Sequence, residues 1–241
     1  MTDPGGEADS WMARLRWIGA GVIRCLRDPL AISRLVRWRA IATHAALANG
    51  LMIDVGAGEQ PYAELFRGRV RRVIAVEFPG ASPRERVSIW GDAGALPLRT
   101  ACADIVLCAE VLEYLPDPRT AMQELARILR CGGRLLLTAP QLRGAGKEPN
   151  DYWRFGHPGL RLLAREAGLS EVVITPCGGL CAAGGQRMSS WLYAVLSSRR
   201  GFPLRLARAL CGAVQVPLWL ADQLGIGPGE TLHWMLTARK P

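Results

Sequence analysis

Residues 51–62, LMIDVGAGEQPY, restrict the fold of this chain more than any other stretch. Leu51 to Val55 is short, apolar and partly β-branched, the pattern of a buried strand. Gly56 and Gly58 then allow backbone angles that side chains resist and let a ligand approach the main chain. Pro61 stands just ahead of Tyr62 to Phe66, where a helix can start at little cost from the missing N–H. Strand, Gly-x-Gly turn and helix start together suit a nucleotide or cofactor cradle.

The rest of the chain repeats the alternation. Strand-like runs lie at 70–77, 87–90, 104–108, 134–139, 171–175 and 232–239. The clearest helix between them runs from Thr120 to Arg130, with Met122, Leu125, Ile128 and Leu129 on one face. Asp117 is its expected N-cap, Pro118 suits the first turn, and Gly132-Gly133 is the expected stop. Alternating strands and helices predict an α/β fold with a largely parallel sheet. Two helices rich in arginine, 11–27 and 30–48, precede this core. Two apolar helical pieces, 189–198 and 204–224, precede the last strand. The expected organisation is an N-terminal helical extension (1–50), a core (51–176), a helical insertion (177–230) and a closing strand of the core (231–241).

Composition narrows the function classes. Hydrophobic content of 49% and charged content of 21% describe a globular chain. The net charge of +9 is carried almost wholly by arginine, since Lys147 and Lys240 are the only lysines. It permits attraction to acidic partners, but the basic residues are dispersed and no RNA or DNA module is seen. The seven cysteines form no Cys-x-x-Cys pair, and the histidines His44, His157 and His233 are scattered. A reduced, cytoplasmic setting is expected and no metal site. The longest uncharged stretches, such as 209–221, fall short of the roughly 20 residues of a membrane span. The basic, Trp-bearing N-terminal helices are either solvated faces of packed helices or a peripheral membrane or anionic-partner surface.

Two cofactor classes compete for the cradle. A dinucleotide site wants a third glycine, where this chain has Pro61, and its pyrophosphate is disfavoured by Glu59. An S-adenosylmethionine site faces a sulfonium, whose charge Asp54 suits. Glu77, at the end of the second strand, can accept both ribose hydroxyls with either cofactor. Asp92 of GDAGALP can pair with an adenine amino group or serve as a turn-forming Asx residue.

DVGAGEQPY, VIAVEF, GDAGALPL, ADIVLCAEVLEYLPDP and GGRLLLTAP resemble, in order and spacing, the class I S-adenosylmethionine-dependent methyltransferases of the type 11 branch. The resemblance covers about residues 35–176, and LHWMLTARKP is similar to the closing antiparallel strand of that family. It implies a Rossmann-like, doubly wound, seven-stranded sheet with an antiparallel last strand. It further implies that Asp54, Gly56, Ala57 and Gly58 bind the methionine part, Glu77 with Phe78 beside it the ribose, and Asp92 with Ala93 the adenine. Glu110 and Val111 would line the cofactor. Residues 148–169 resemble the P-x-D-Y-x-R-F element of a bacterial envelope-polysaccharide and specialised-metabolite group, matched by Pro149, Asp151, Tyr152, Arg154 and Phe155. That implies an acceptor site with Tyr152 and Arg154 binding substrate and Asp151, Tyr152 and His157 as catalytic candidates. Where that group has a His and a Thr, this chain has Gly146 and Gly156, so a base at that His position is either lost or replaced by His157. The expected reaction is O-methylation of a sugar, glycolipid or specialised metabolite, with a homodimer face, lid or membrane patch at the helical segments. The rival readings are a catalytically degenerate S-adenosylmethionine-binding partner subunit and an RNA methyltransferase.

Overall fold

The computed structural model describes residues 4–80, 86–142, 150–227 and 229–241, with side chains from Arg16 onward. Its elements are α1 (Pro4–Arg27), α2 (Ala31–Ala45), β1 (Leu51–Val55), α3 (Ala63–Phe66), β2 (Arg72–Glu77), β3 (Ile89–Trp90), β4 (Ala103–Ala109), α4 (Pro118–Ile128), β5 (Leu129–Pro140), α5 (His157–Glu166), β6 (Ser170–Cys177), α6 (Leu180–Ser197), α7 (Leu204–Gln223) and β7 (His233–Arg239). They divide into two compact units, one of residues 1–36 with 178–232 and one of residues 37–177 with 233–241. The division falls inside α2, between Val36 and Arg37.

The second unit is built on a seven-stranded sheet of order β3-β2-β1-β4-β5-β7-β6. β1 pairs in parallel with β2 and β4, and β4 with β5, whereas β7 runs antiparallel between β5 and β6. Strand side chains alternate between the two faces. Ile53, Val55, Val106, Cys108, Leu135 and Leu137 share one face and form the main core with Met122 and Leu125 of α4 and Leu160 and Ala164 of α5. Met52, Asp54, Leu107 and Leu136 alternate with them onto the other face and are also buried. The fold is thus the expected doubly wound α/β sheet with an antiparallel last strand.

α4 starts as its sequence dictates. Pro118 sits in its first turn, and the Asp117 side chain accepts from the Arg119 N–H (3.0 Å) and the Thr120 hydroxyl. Its end differs from expectation. The helix stops at Ile128, and Leu129 already has extended angles (φ −67°, ψ 136°) and pairs with Ala103. Burial of Leu129 in the sheet ends the helix before Gly132-Gly133 is reached.

The first unit is helical. α7 packs against α1 and α6. Its interior is pinned by neutral amides. Gln215 accepts from the Ile32 N–H (3.3 Å) and donates to the carbonyls of Cys25 (3.3 Å) and Asp28 (3.0 Å). Gln186 accepts from the Ser33 N–H and donates to the Pro29 carbonyl, each at 2.9 Å. These bonds satisfy the backbone groups left over where α1 ends and α2 begins. Gly21 must be glycine, since a Cβ there would lie 2.1 Å from the Trp219 ring. α6 begins at Leu180, nine residues before the expected piece. α7, at 20 residues, is also longer than the uncharged run 209–221, because Arg205 and Arg208 interrupt the hydropathy without interrupting the helix. By length and composition α7 is the one helix among the described residues that could cross a membrane.

Candidate cofactor and acceptor site

The loop after β1 turns on Gly56 (φ +70°) and Gly58 (φ +49°). A Cβ on Gly56 would lie 2.2 Å from Cγ2 of Val111, so the second residue after β4 roofs this turn at a distance only glycine allows. At Gly58 the space is open, with nothing within 4 Å of a built Cβ. The N–H groups here point inward. Those of Gly56 and Ala57 donate to the Val76 carbonyl at 2.9 and 3.2 Å, and that of Gln60 to the Ala57 carbonyl at 2.8 Å. α3 has four residues. These N–H groups are therefore already bonded within the protein, and a pyrophosphate would find few donors.

Carboxylates line it instead. Glu77 Oε2 accepts from the Gly58 N–H at 2.7 Å, and Oε1 from the Phe78 N–H at 2.9 Å. Each oxygen keeps a further lone pair for a ligand hydroxyl. Phe78 is exposed beside it. Asp54 is buried at the end of β1. Burial, and then the negative charge of Glu77, push its carboxyl up from 3.8 to about 7. A cation placed next to it would reverse that penalty. Asp92 forms the Asx turn, its Oδ1 accepting from the Gly94 N–H at 2.8 Å. Ala93 beside it is buried in the core.

Glu110 has left-handed backbone angles (φ +59°), and its N–H donates to the Thr138 carbonyl at 3.0 Å. Its buried Oε2 lies 3.3 Å from the Arg37 guanidinium and 3.1 Å from Nδ1 of His233. Burial alone would lower the pKa of Arg37, but Glu110, Tyr62, Glu113 and Tyr114 outweigh it and the net direction is up. Sequence reasoning missed Arg37 and His233. No local motif announces them, because α2, the end of β4 and the start of β7 meet only through the strand order.

The acceptor-side candidates lie in the segment before α5. The Glu113 carbonyl accepts from the N–H groups of Tyr152 (2.8 Å) and Trp153 (3.2 Å), and the Pro140 carbonyl from that of Phe155 (3.0 Å). Trp153 Nε1 donates to the Leu115 carbonyl at 2.9 Å. Tyr152 is 52% exposed, its hydroxyl donating to the Asn150 side chain at 3.2 Å. The side chain of Asp151 is buried and accepts two bonds from Arg154, at 2.6 and 2.7 Å. Arg154 accordingly pairs within the segment, and Asp151 chiefly raises its pKa. Gly146 and Pro149 lie outside the described residues.

His157 packs on the α4–α5 side of the sheet. Its ring packs edge-on to Trp234 at 5.6 Å, and Nε2 lies 3.4 Å from Arg161. Trp234 alternates onto the sheet face of the α4–α5 core, as Leu236 and Ala238 do, whereas Asp54 is on the opposite one. His233 is one residue off that register and shares the face of Asp54 and Thr138. Thr138 Oγ1 and Gln141 Oε1, also near the end of β5, are buried without a hydrogen-bond partner.

Residues 53–137 match a family described as "Methyltransferase domain". The domain is that of an S-adenosylmethionine-dependent methyltransferase. Among curated proteins the chain is 29% identical over 179 residues to a "Ubiquinone biosynthesis O-methyltransferase" of Thiobacillus denitrificans, covering 61% of this chain and 76% of that one. It is 31% identical over 126 residues to a "Demethylmenaquinone methyltransferase" of Thermobifida fusca, covering 46% of this chain and 53%, about half, of that relative. Among solved structures, the [4+2]-cyclase SpnF shares the fold with a TM-score of 0.57 at 18% identity, over 86% of this chain and 82% of that one. Haemonchus contortus phosphoethanolamine N-methyltransferase 2, solved with S-adenosyl-L-methionine, has a TM-score of 0.50 at 15% identity, over 84% and 52% of the two chains. The methyltransferase's own residues suit the cofactor: open space over Gly58, spare lone pairs on a fixed Glu77, and a buried acid at Asp54.

Proposed function

We propose that the carboxyl edge of β1, β2 and β4 binds S-adenosylmethionine and that the enzyme methylates a hydroxyl of a small molecule, of the sugar, glycolipid or specialised-metabolite class. The observation that carries the reading is Glu77, whose two oxygens are each aimed by one backbone N–H and each retain capacity for one ribose hydroxyl. Asp54, Gly56, Ala57 and Gly58 would meet the methionine end, with Asp54 ionised beside the cation. Asp92 and Ala93 would meet the adenine, and Val111 would close over the turn. Bound there, the cofactor supplies a methyl group activated by its sulfonium.

The chain's part is to align the acceptor with that methyl and keep water out. Tyr152 and Arg154 are assigned to the acceptor, Tyr152 by its exposure and Arg154 by its guanidinium, which Asp151 orients. A hydroxyl acceptor must also lose a proton. His233, beside Glu110, is the histidine on the Asp54 face and replaces His157 in our assignment of the base. The relatives' printed names, concerning ubiquinone biosynthesis and demethylmenaquinone, support a small-molecule acceptor. The seven cysteines, all free, suit the reducing cytoplasm.

Glu77→Ala should weaken S-adenosylmethionine binding by about 1–3 kcal/mol, the scale of hydrogen bonds to a charged group. Calorimetric titration of the folded variant checks this, and unchanged affinity would remove Glu77 from the site. Methyl transfer to a panel of hydroxyl compounds then tests the acceptor class. There Arg154→Ala should raise the acceptor KM while leaving cofactor affinity unchanged.

A further inference from the structure

Between Glu171 and Asp222 the chain contains no acidic residue and no lysine, but five arginines, Arg187, Arg199, Arg200, Arg205 and Arg208. All five are exposed. This stretch contains the α6–α7 hairpin. Its turn is ordered: the Phe202 N–H donates to the Arg199 carbonyl at 3.2 Å, and Gly201 takes left-handed angles (φ +79°). Arg199 and Arg200 stand in that turn, with Arg205 and Arg208 one turn apart at the start of α7. Among them Leu204 and Leu206 are 49% and 48% exposed, and Leu210 extends the Leu206 stripe by one helical turn. On α6, Met188 and Trp191 (65% exposed) are spaced for one outward stripe with Arg187.

We propose that the tip of this hairpin is a docking surface for an anionic phospholipid bilayer. Guanidinium groups paired with headgroup phosphates would bring Leu204 and Leu206, at the first turn of α7, to the acyl boundary, with the tip of the hairpin rather than the length of α7 against the interface. Charge and shape favour this occupant over the others. A second copy would bring the same four arginines against themselves. A nucleic acid would be gripped by the arginines but would leave the exposed leucines wet, since it is stacked on aromatic rings rather than aliphatic ones. A membrane-spanning α7 would have to carry Arg205 and Arg208 and release Gln215, which is committed inside the helical unit. The proposal rests on this hairpin alone and does not depend on which acceptor is methylated.

The test is flotation of the full chain with phosphatidylcholine vesicles, with and without about a third phosphatidylglycerol. Binding is expected to the anionic vesicles only, and to weaken at high salt. Arg199→Glu with Arg200→Glu should lower it by at least about 25-fold, at roughly fivefold for each arginine removed, with the repulsion of the two new carboxylates added to that. Leu204→Ser with Leu206→Ser should weaken it at either salt concentration. Both pairs are exposed and should leave the melting temperature and cofactor affinity as they are, which separates a failed surface from a failed fold. The proposal is overturned by no binding to anionic vesicles, by equal binding to neutral ones, or by indifference to the charge reversal. It is equally overturned if high salt does not weaken binding, as for a spanning helix. Light scattering that shows a dimer dispersed by the leucine variant would assign the tip to self-association instead.

Discussion

The sheet unit and the helical unit handle polarity in opposite ways. In the sheet unit, titratable groups are taken inside: Glu110 lies between Arg37 and His233 and Asp151 pairs with Arg154, whereas Asp54 has only the like charge of Glu77 beside it. In the helical unit the interior polar groups are neutral amides, Gln186 and Gln215, and the charges are outside and of one sign on the α6–α7 hairpin. Burying an ionised group is costly unless it is paired or meets a ligand. The unmatched buried acid Asp54 at the sheet's carboxyl edge therefore points to a cationic ligand. Buried amides serve the helix ends they cap and point to architecture.

The strongest way to break this contrast is Gly56→Ala. The side chain would be forced into left-handed angles and onto Val111, so cofactor binding should fall by about 100-fold or more, with a stability loss of about 1–3 kcal/mol. Adding Val111→Ala should restore part of the affinity by removing the clash but not the strain. Titration calorimetry and thermal melts on both variants give the answer. If Gly56→Ala bound the cofactor normally, the roof over the turn would have no role in binding.

Gln215→Leu is the counterpart in the helical unit. It would leave the Cys25 and Asp28 carbonyls and the Ile32 N–H without that partner, costing about 1–3 kcal/mol of stability. Denaturant unfolding should register that loss while cofactor affinity stays unchanged. A large drop in affinity would contradict the division of labour drawn above.

The smallest effect is one of pH. The folded-state pKa of Asp54 is raised, to about 7 from 3.8. Its contribution to stability is therefore fully present below the unfolded value and is lost as pH rises through about 7, since the ionised form is the penalised one. A cationic ligand prefers that ionised form. S-adenosylmethionine affinity should rise from about pH 6 to about pH 8 and then level off, with proton release on binding near neutrality. Calorimetry in buffers of different ionisation enthalpy measures this. Asp54→Asn should flatten the profile, and an unaltered slope in that variant would assign the titration elsewhere.

The legible parts of this chain were those decided by near neighbours. The β1 strand, its Gly-x-Gly turn and the Asp117–Pro118 helix start each rest on a few adjacent residues, and each is present. The stop at Gly132-Gly133 misled because pairing of Leu129 with Ala103, a contact across the sheet, overrode a local helix-ending signal. The setting of His157 was illegible for a related reason. Which face a histidine meets depends on one residue of strand register, and the last strand's neighbours are not its neighbours in sequence. The cluster of Arg37, Glu110 and His233 is the extreme case, since three distant stretches supply one member each.

The position of β7 also has a consequence for how the protein is made. β6 has a single sheet partner, and that partner is β7, translated only after residues 178–232. On the ribosome, β6 must wait with both of its edges open while the whole helical hairpin emerges. Long-range pairing of this kind is slow and leaves strand edges available to other nascent chains. The last strand therefore completes two things at once: it seals the sheet and delivers His233 to Glu110. A chain caught before that step has neither a finished sheet nor the pairing of Glu110 with His233.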